Sequence, residues 1–135
     1  METLYTAKAE AVNGRAGHIK TTDTNAIDMA LSKPGAGSGT NPEQLFACGY
    51  SACFGGALAH IAKTKDITIG DVTIKGDVSL NKDGEGFAIS AVLDVYVDDV
   101  DHDTAKELAD LAHAFCPYSK ATRGNIDVKI LVNGQ

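Results

Sequence analysis

The sequence predicts an α+β domain with the element order βββ-α-ββ-α-β, on three observations. Residues 44–62 contain no Asp, Glu, Lys or Arg, which reads as one long helix walled in by protein. The stretches on either side alternate apolar and polar residues with the two-residue period of strands. No regular βαβ repetition occurs, which favours antiparallel sheet. At 135 residues and 44% hydrophobic content, the chain is long enough to bury one core, so residues 1–135 are expected to form a single domain.

The N-terminal third reads as a short meander. Residues 4–11 alternate, Asn13-Gly14 is a turn signal, and residues 16–22 and 26–31 supply two further strands, with Ile27, Met29 and Leu31 sharing one face. Residues 32–40 are rich in Gly and include Pro34, too little side-chain mass to pack, so they read as a loop. Asn41-Pro42-Glu43-Gln44 is a helix start: Asn caps, Pro suits the first helical position, and Glu43 complements the positive helix end. The helix should run to about Thr64 and be buried on most sides.

Val72, Ile74, Val78 and Leu80 define one face of the next strand. Asn81-Lys82-Asp83-Gly84-Glu85-Gly86 reads as the loop, and Phe87, Ile89, Leu93, Val95 and Val97 as the face of the returning strand. A second helix follows, with Thr104 and Glu107 at capping-box spacing and Ala105, Leu108, Leu111, Ala112 and Phe115 at helical period. Cys116-Pro117 interrupts it, a turn or short helix covers residues 118–123, and residues 126–132 alternate as a last strand.

Several function classes are disfavoured. The net charge is −6 with no basic run, so no nucleic-acid partner is expected. Residues 1–20 lack an apolar signal core, which points to the cytoplasm. The long helix approaches bilayer-spanning length, yet Gly49, Ser51, Gly55, Gly56 and His60 dilute it, so no membrane insertion is expected. Gly35, Gly37 and Gly39 precede a helix without the G-x-G-x-x-G or P-loop pattern. Neither C-x-x-C nor H-x-x-x-H spacing occurs, so no metal is expected.

The chemistry that remains lies in three cysteines, an odd number that suits thiols better than a disulfide scaffold. Cys48 and Cys53 sit five residues apart on one helix, about 140° around it and about 8 to 9 Å apart, beyond disulfide reach. Cys48 reads as a small buried residue, and any thiol partner for Cys53 is left to Cys116. With Pro117 opening a short helix, Cys116 falls at its N-cap, where the helix end lowers a thiol's pKa. Cys53, in mid-helix, needs a nearby cation to become a thiolate. Electrostatics alone does not rank the two. His60, two turns from Cys53, is about 10 Å away along the helix, too far for a base. His18 and His113 read as surface or satisfied histidines.

Asn41-Pro42-Glu43-Gln44-Leu45-Phe46-Ala47, Gly49-Tyr50-Ser51-Ala52-Cys53-Phe54, Cys116-Pro117-Tyr118-Ser119 and Ala121-Thr122-Arg123-Gly124-Asn125 closely resemble the organic hydroperoxide resistance (Ohr) proteins. These are a branch of the superfamily that includes the osmotically inducible protein OsmC. The likeness spans essentially the whole chain, including Asn13-Gly14-Arg15; Cys48 departs from it, standing where the family usually has a small residue such as Ala.

The resemblance implies an OsmC/Ohr-like fold, antiparallel sheets wrapped around a long central helix, in an intertwined homodimer. It implies a thiol-dependent peroxidase that reduces organic and fatty-acid hydroperoxides to alcohols. Carried over by motif, Cys53 is the peroxidatic cysteine, Cys116 the resolving cysteine, Arg15 the cation beside the thiolate and Glu43 the carboxylate that orients it. A dihydrolipoyl dithiol on a lipoylated protein, or another dithiol, is the implied reductant. Apolar candidates for holding an alkyl tail are Met29, Leu45, Phe46, Phe54, Phe115 and Tyr118. Glu43 and Cys53 lie ten residues apart, about 15 Å along a continuous helix, so sharing one arginine most simply takes Glu43 from the other subunit. Two readings compete: a small-molecule or lipid-binding module whose cysteines merely pack, and a redox-responsive interaction protein.

Overall fold

The computed structural model describes all 135 residues, in two compact units, Met1–Leu45 and Phe46–Gln135. In the first unit, β1 (Ala9–Val12), β2 (His18–Thr21) and β3 (Asp28–Ala30) form an antiparallel sheet in that order. The Asn13-Gly14 signal is met by positive φ at both residues (63° and 56°), followed by a 3-10 turn, Gly14–Ala16. The strands are shorter than the alternation predicts, and Leu4 lies before β1. No residue of β1 or β3 is buried. Ser32 ties the Gly-rich loop shut, its hydroxyl accepting from the Gly39 N–H at 3.0 Å.

Helix α1 spans Pro42–Thr64 as the local signals predict. The Asn41 side chain accepts from the Gln44 N–H at 2.9 Å. The expectation of burial on most sides is corrected. Tyr50, Phe54, Ala57, Leu58 and Ala62 are buried, while Cys48, Ala52, Gly56 and Ala59 lie exposed along another face. Only small side chains occupy that stripe.

In the second unit, β4 (Val72–Asp83) and β5 (Gly86–Val97) form a long hairpin. Val72, Ile74 and Val78 pair with Val97, Val95 and Ala91, so the predicted faces meet and join the core that includes Leu58, Leu93 and Leu108. The hairpin closes through two residues, with Gly84 at φ 58°, not through the six-residue loop expected. Asn81, Lys82 and Asp83 continue the ladder because a Gly in the first position of a two-residue turn matches the strand twist. Gly76 of β4 lets α1 approach: a Cβ there would lie 2.3 Å from Ser51 Oγ.

Helix α2 spans His102–Phe115, and its cap is Asp101, whose carboxylate accepts from the Thr104 N–H at 2.8 Å. Thr104 is thus inside the helix, a correction to the capping-box reading. Helix α3 (Pro117–Thr122) begins with Pro117 in its first turn and Cys116 at its N-cap. The last strand, β6 (Val128–Val132), runs parallel to β5, Ala91 beside Val128 through Val95 beside Val132. The antiparallel expectation fails for this pair because α2 and α3 form the crossover between the two strands.

Gly17 ends the turn that carries Arg15, and a Cβ there would lie 1.7 Å from the Val12 carbonyl oxygen. Gly17→Ala is expected to force β1 and β2 apart. Amide exchange across Ala9–Val12 and His18–Thr21 should accelerate by roughly tenfold or more, with β4–β6 unaffected.

Candidate active site

The four candidate residues come together as two pairs. In the first unit, the 3-10 turn after β1 presents Arg15, and the first turn of α1 presents Glu43. The guanidinium donates from both terminal nitrogens, Nη1 to Oε2 at 2.9 Å and Nη2 to Oε1 at 2.6 Å. This fork-to-carboxylate geometry fixes orientation as well as charge. The Glu43 side chain is 13% exposed and that of Arg15 54%. Hydrogen bonding to Arg15 lowers the Glu43 pKa, and the same bond raises that of Arg15, so both stay charged.

In the second unit, Cys53 on α1 meets Cys116 at the junction of α2 and α3. The Cys116 Sγ–H donates to Cys53 Sγ at 3.5 Å. All three cysteines are free thiols, Cys116 buried, Cys53 half-buried and Cys48 exposed. Cys48 is therefore not the small buried residue expected; it belongs to the open stripe of α1. Burial pushes the Cys53 thiol up, a hydrogen bond from the Tyr118 backbone pulls it down, and the neighbouring Cys116 raises it further. Within this unit the balance favours the protonated thiol.

A polar cluster that the sequence reading missed lies beside the sulfurs. Tyr50, one helical turn before Cys53, has no exposed surface, and its hydroxyl lies 2.9 Å from Ser119 Oγ and 3.2 Å from Thr122 Oγ1. Ser119 Oγ in turn lies 2.8 Å from Nδ1 of His113. Burial, and then the charge of Arg123, lower the His113 pKa, which favours the neutral ring. The one available signal was the i, i+3 spacing of Ser119 and Thr122 in a short helix.

Among the alkyl-tail candidates, Phe46 and Tyr118 line an open cavity of about 450 Å³ with Ile89, Ala121, Thr122, Asn125 and Ile126. Phe54 is wholly core, whereas Met29 and Phe115 are exposed. His60, dismissed as a base, stacks on Phe115 with ring centroids 4.9 Å apart.

Residues 35–131 match the OsmC-like protein family. The chain is 55% identical to organic hydroperoxide resistance protein OhrB of Bacillus subtilis over 133 residues, 94% of this chain and 96% of that one. It is 44% identical to the organic hydroperoxide resistance protein of Xanthomonas axonopodis pv. citri over 135 residues, 96% and 94% of the two chains. The crystal structure of Bacillus subtilis OhrB superposes with a TM-score of 0.90 at 53% identity, covering 96% of this chain and 99% of that one. A crystal structure from Legionella pneumophila, of an organic hydroperoxide resistance protein, gives 0.90 at 42% identity, covering 97% and 98%. The chain belongs to the OsmC-like family, in its organic hydroperoxide resistance branch.

Proposed function

We propose that the protein is a two-cysteine peroxidase that reduces organic and fatty-acid hydroperoxides to alcohols with an external dithiol. The observation that supports this most directly is the 3.5 Å contact between two free thiols, one accessible and one buried. In the first step the Cys53 thiolate attacks the distal peroxide oxygen. The O–O bond breaks, the alkoxide takes a proton and leaves as alcohol, and Cys53 becomes a sulfenic acid. The Cys116 sulfur then attacks the sulfenic sulfur, expelling water and forming a disulfide before a second peroxide over-oxidises Cys53. A dithiol, with a dihydrolipoyl group on a protein as the proposed source, reopens the bond by exchange and leaves as its own disulfide. The proposed setting is the cytoplasm, and no bound metal or cofactor enters the scheme.

A sheltered thiol needs a cation to ionise, and Arg15 is the proposed one, held by Glu43. Because α1 is continuous, Glu43 and Cys53 are separated by about 15 Å of helix. The proposed arrangement is a homodimer in which the Arg15–Glu43 pair of one subunit faces Cys53 of its partner. The uncovered sheet of β1 and β3 and the open stripe of α1 support a second copy covering both.

Thiol counting tests the scheme. One equivalent of an alkyl hydroperoxide should remove Cys53 and Cys116 as thiols and leave Cys48 titratable. Cys53→Ser should abolish turnover, whereas Cys116→Ser should allow a single reduction and then accumulate sulfenic or sulfinic acid by mass. Equal turnover in both variants rules out this division of roles.

The pH dependence follows from the raised Cys53 pKa. A raised thiol pKa means less thiolate at neutral pH, so reaction with peroxide should quicken as pH rises. Arg15 should move that rise to lower pH. Arg15→Ala should shift it upward and slow the first step at pH 7 by about 100-fold, with Glu43→Gln intermediate, as measured by stopped-flow peroxide consumption.

A further inference from the structure

We propose that Tyr50, Ser119 and His113 are positioning residues, whose hydrogen-bonded chain holds the Cys116 sulfur where it can capture oxidised Cys53. The proposal rests on the two-cysteine reading above and assigns the residues that serve its second step.

Cys116 belongs to two helices at once. Its N–H donates to the Ala112 carbonyl at 2.8 Å, closing α2, and its carbonyl accepts from Lys120 N–H at 3.0 Å, opening α3. The direction of its side chain therefore follows the orientation of α3. That helix is six residues long, and its buried residues are Ser119 and Thr122, with no aliphatic or aromatic side chain among them. Hydroxyl contacts hold its buried face, and the half-exposed Tyr118 ring packs beside them on Phe46 and Tyr50. Both hydroxyls meet Tyr50 on α1, the helix that carries Cys53, and Ser119 also meets His113 on α2. Three helices and both sulfurs are thus referred to one hydroxyl, Ser119 Oγ, which has no exposed surface.

The proton count closes. Thr122 donates to the Ser119 carbonyl at 3.1 Å. Tyr50 then donates to Ser119, and Ser119 to Nδ1 of a neutral His113; every hydroxyl proton is used, and the 3.2 Å approach of Tyr50 to Thr122 is a contact with no proton of its own. No buried side-chain nitrogen or oxygen is left without a partner. Arg123 adds a bond from Nη2 to the His113 carbonyl at 2.7 Å, bracing the end of α2.

This placement matters because the sulfenic acid has two fates. Capture by a thiol already in line competes with a second peroxide, and orientation sets the intramolecular rate. Misdirecting α3 takes the capturing thiol out of line, whereas the attacking thiol rides on α1 and feels α3 through the single Tyr118 backbone bond, so capture slows more than the first attack.

The test follows the native protein, Tyr50→Phe, Ser119→Ala and, as controls, Thr122→Ser and the core variant Val95→Ala, treated with an alkyl hydroperoxide. Stopped-flow kinetics read sulfenate formation and disulfide formation separately, and mass spectrometry reads the sulfinic fraction. In Tyr50→Phe and Ser119→Ala, the first step should stay within about twofold of native, while disulfide formation slows by about fivefold or more. The peroxide dose giving half over-oxidation should fall in proportion. The double variant should be less than additive, since both changes break one chain. Thr122→Ser keeps its hydroxyl and should keep the native partition, and Val95→Ala should lower thermal stability without changing it. Native rates of disulfide formation in both hydroxyl variants overturn the proposal, as does an equal slowing in Val95→Ala. A native protein that never forms the Cys53–Cys116 bond removes the two-cysteine reading and this proposal together. Native bond formation with unaffected variants removes this proposal alone.

Discussion

The contact between the Cys53 and Cys116 sulfurs constrains most of what surrounds it. A disulfide brings two sulfurs to about 2.0 Å, so the bond proposed for this pair takes a local movement from 3.5 Å. Helix α1 is a poor source of that movement. Tyr50, Phe54 and Leu58 anchor it with no exposed surface on either side of Cys53, and close-packed interiors resist such shifts. The junction at Cys116 is better suited, because it is one extended residue between two helices, with φ −61° and ψ 127°. One sulfur rides in mid-helix and the other at the break between two helices.

Electrostatics imposes the opposite demand. Packing that keeps solvent from Cys53 also disfavours its charged form, and the Tyr118 backbone offsets this only in part. The proposed remedy is an ion pair, Arg15 with Glu43. Glu43 occupies the first turn of α1, where the helix dipole favours an anion, and it holds both ends of the Arg15 fork. With two N–H groups committed to the carboxylate, three donors of the guanidinium remain, and the proposed scheme assigns them to the thiolate and the peroxide.

The elements that sequence reveals best here are those set by neighbouring residues. Asn41-Pro42 announced α1 to the residue, and the two-residue period of Val72 to Val78 and Leu93 to Val97 announced the hairpin. Elements set by distant partners were less legible. The direction of β6 depends on the crossover through α2 and α3, which no feature of residues 126–132 encodes. The polar Asn81-Lys82-Asp83 run imitates a loop although it forms the exposed end of a strand. An apolar helix reads as buried on most sides, yet a stripe of Cys48, Ala52, Gly56 and Ala59 stays open. Cys53 and Cys116 stand out by their local surroundings, whereas their separate roles, and the choice of Arg15 and Glu43, come from motif resemblance. Beyond the i, i+3 spacing of Ser119 and Thr122, nothing local marks the meeting of Tyr50 with Ser119, which spans 69 residues of chain.

In the proposed two-cysteine cycle, the burial of Cys116 sets the traffic of electrons through the site. Thiol exchange needs the incoming sulfur to line up behind the bond it breaks. A sulfur with no surface gives an outside molecule no such approach, whereas its neighbour on α1 remains partly open. Once the two are joined, an arriving donor can strike only residue 53, and residue 116 must depart as the leaving group. Oxidant and reductant then use the same doorway in turn, and the inner sulfur never touches either.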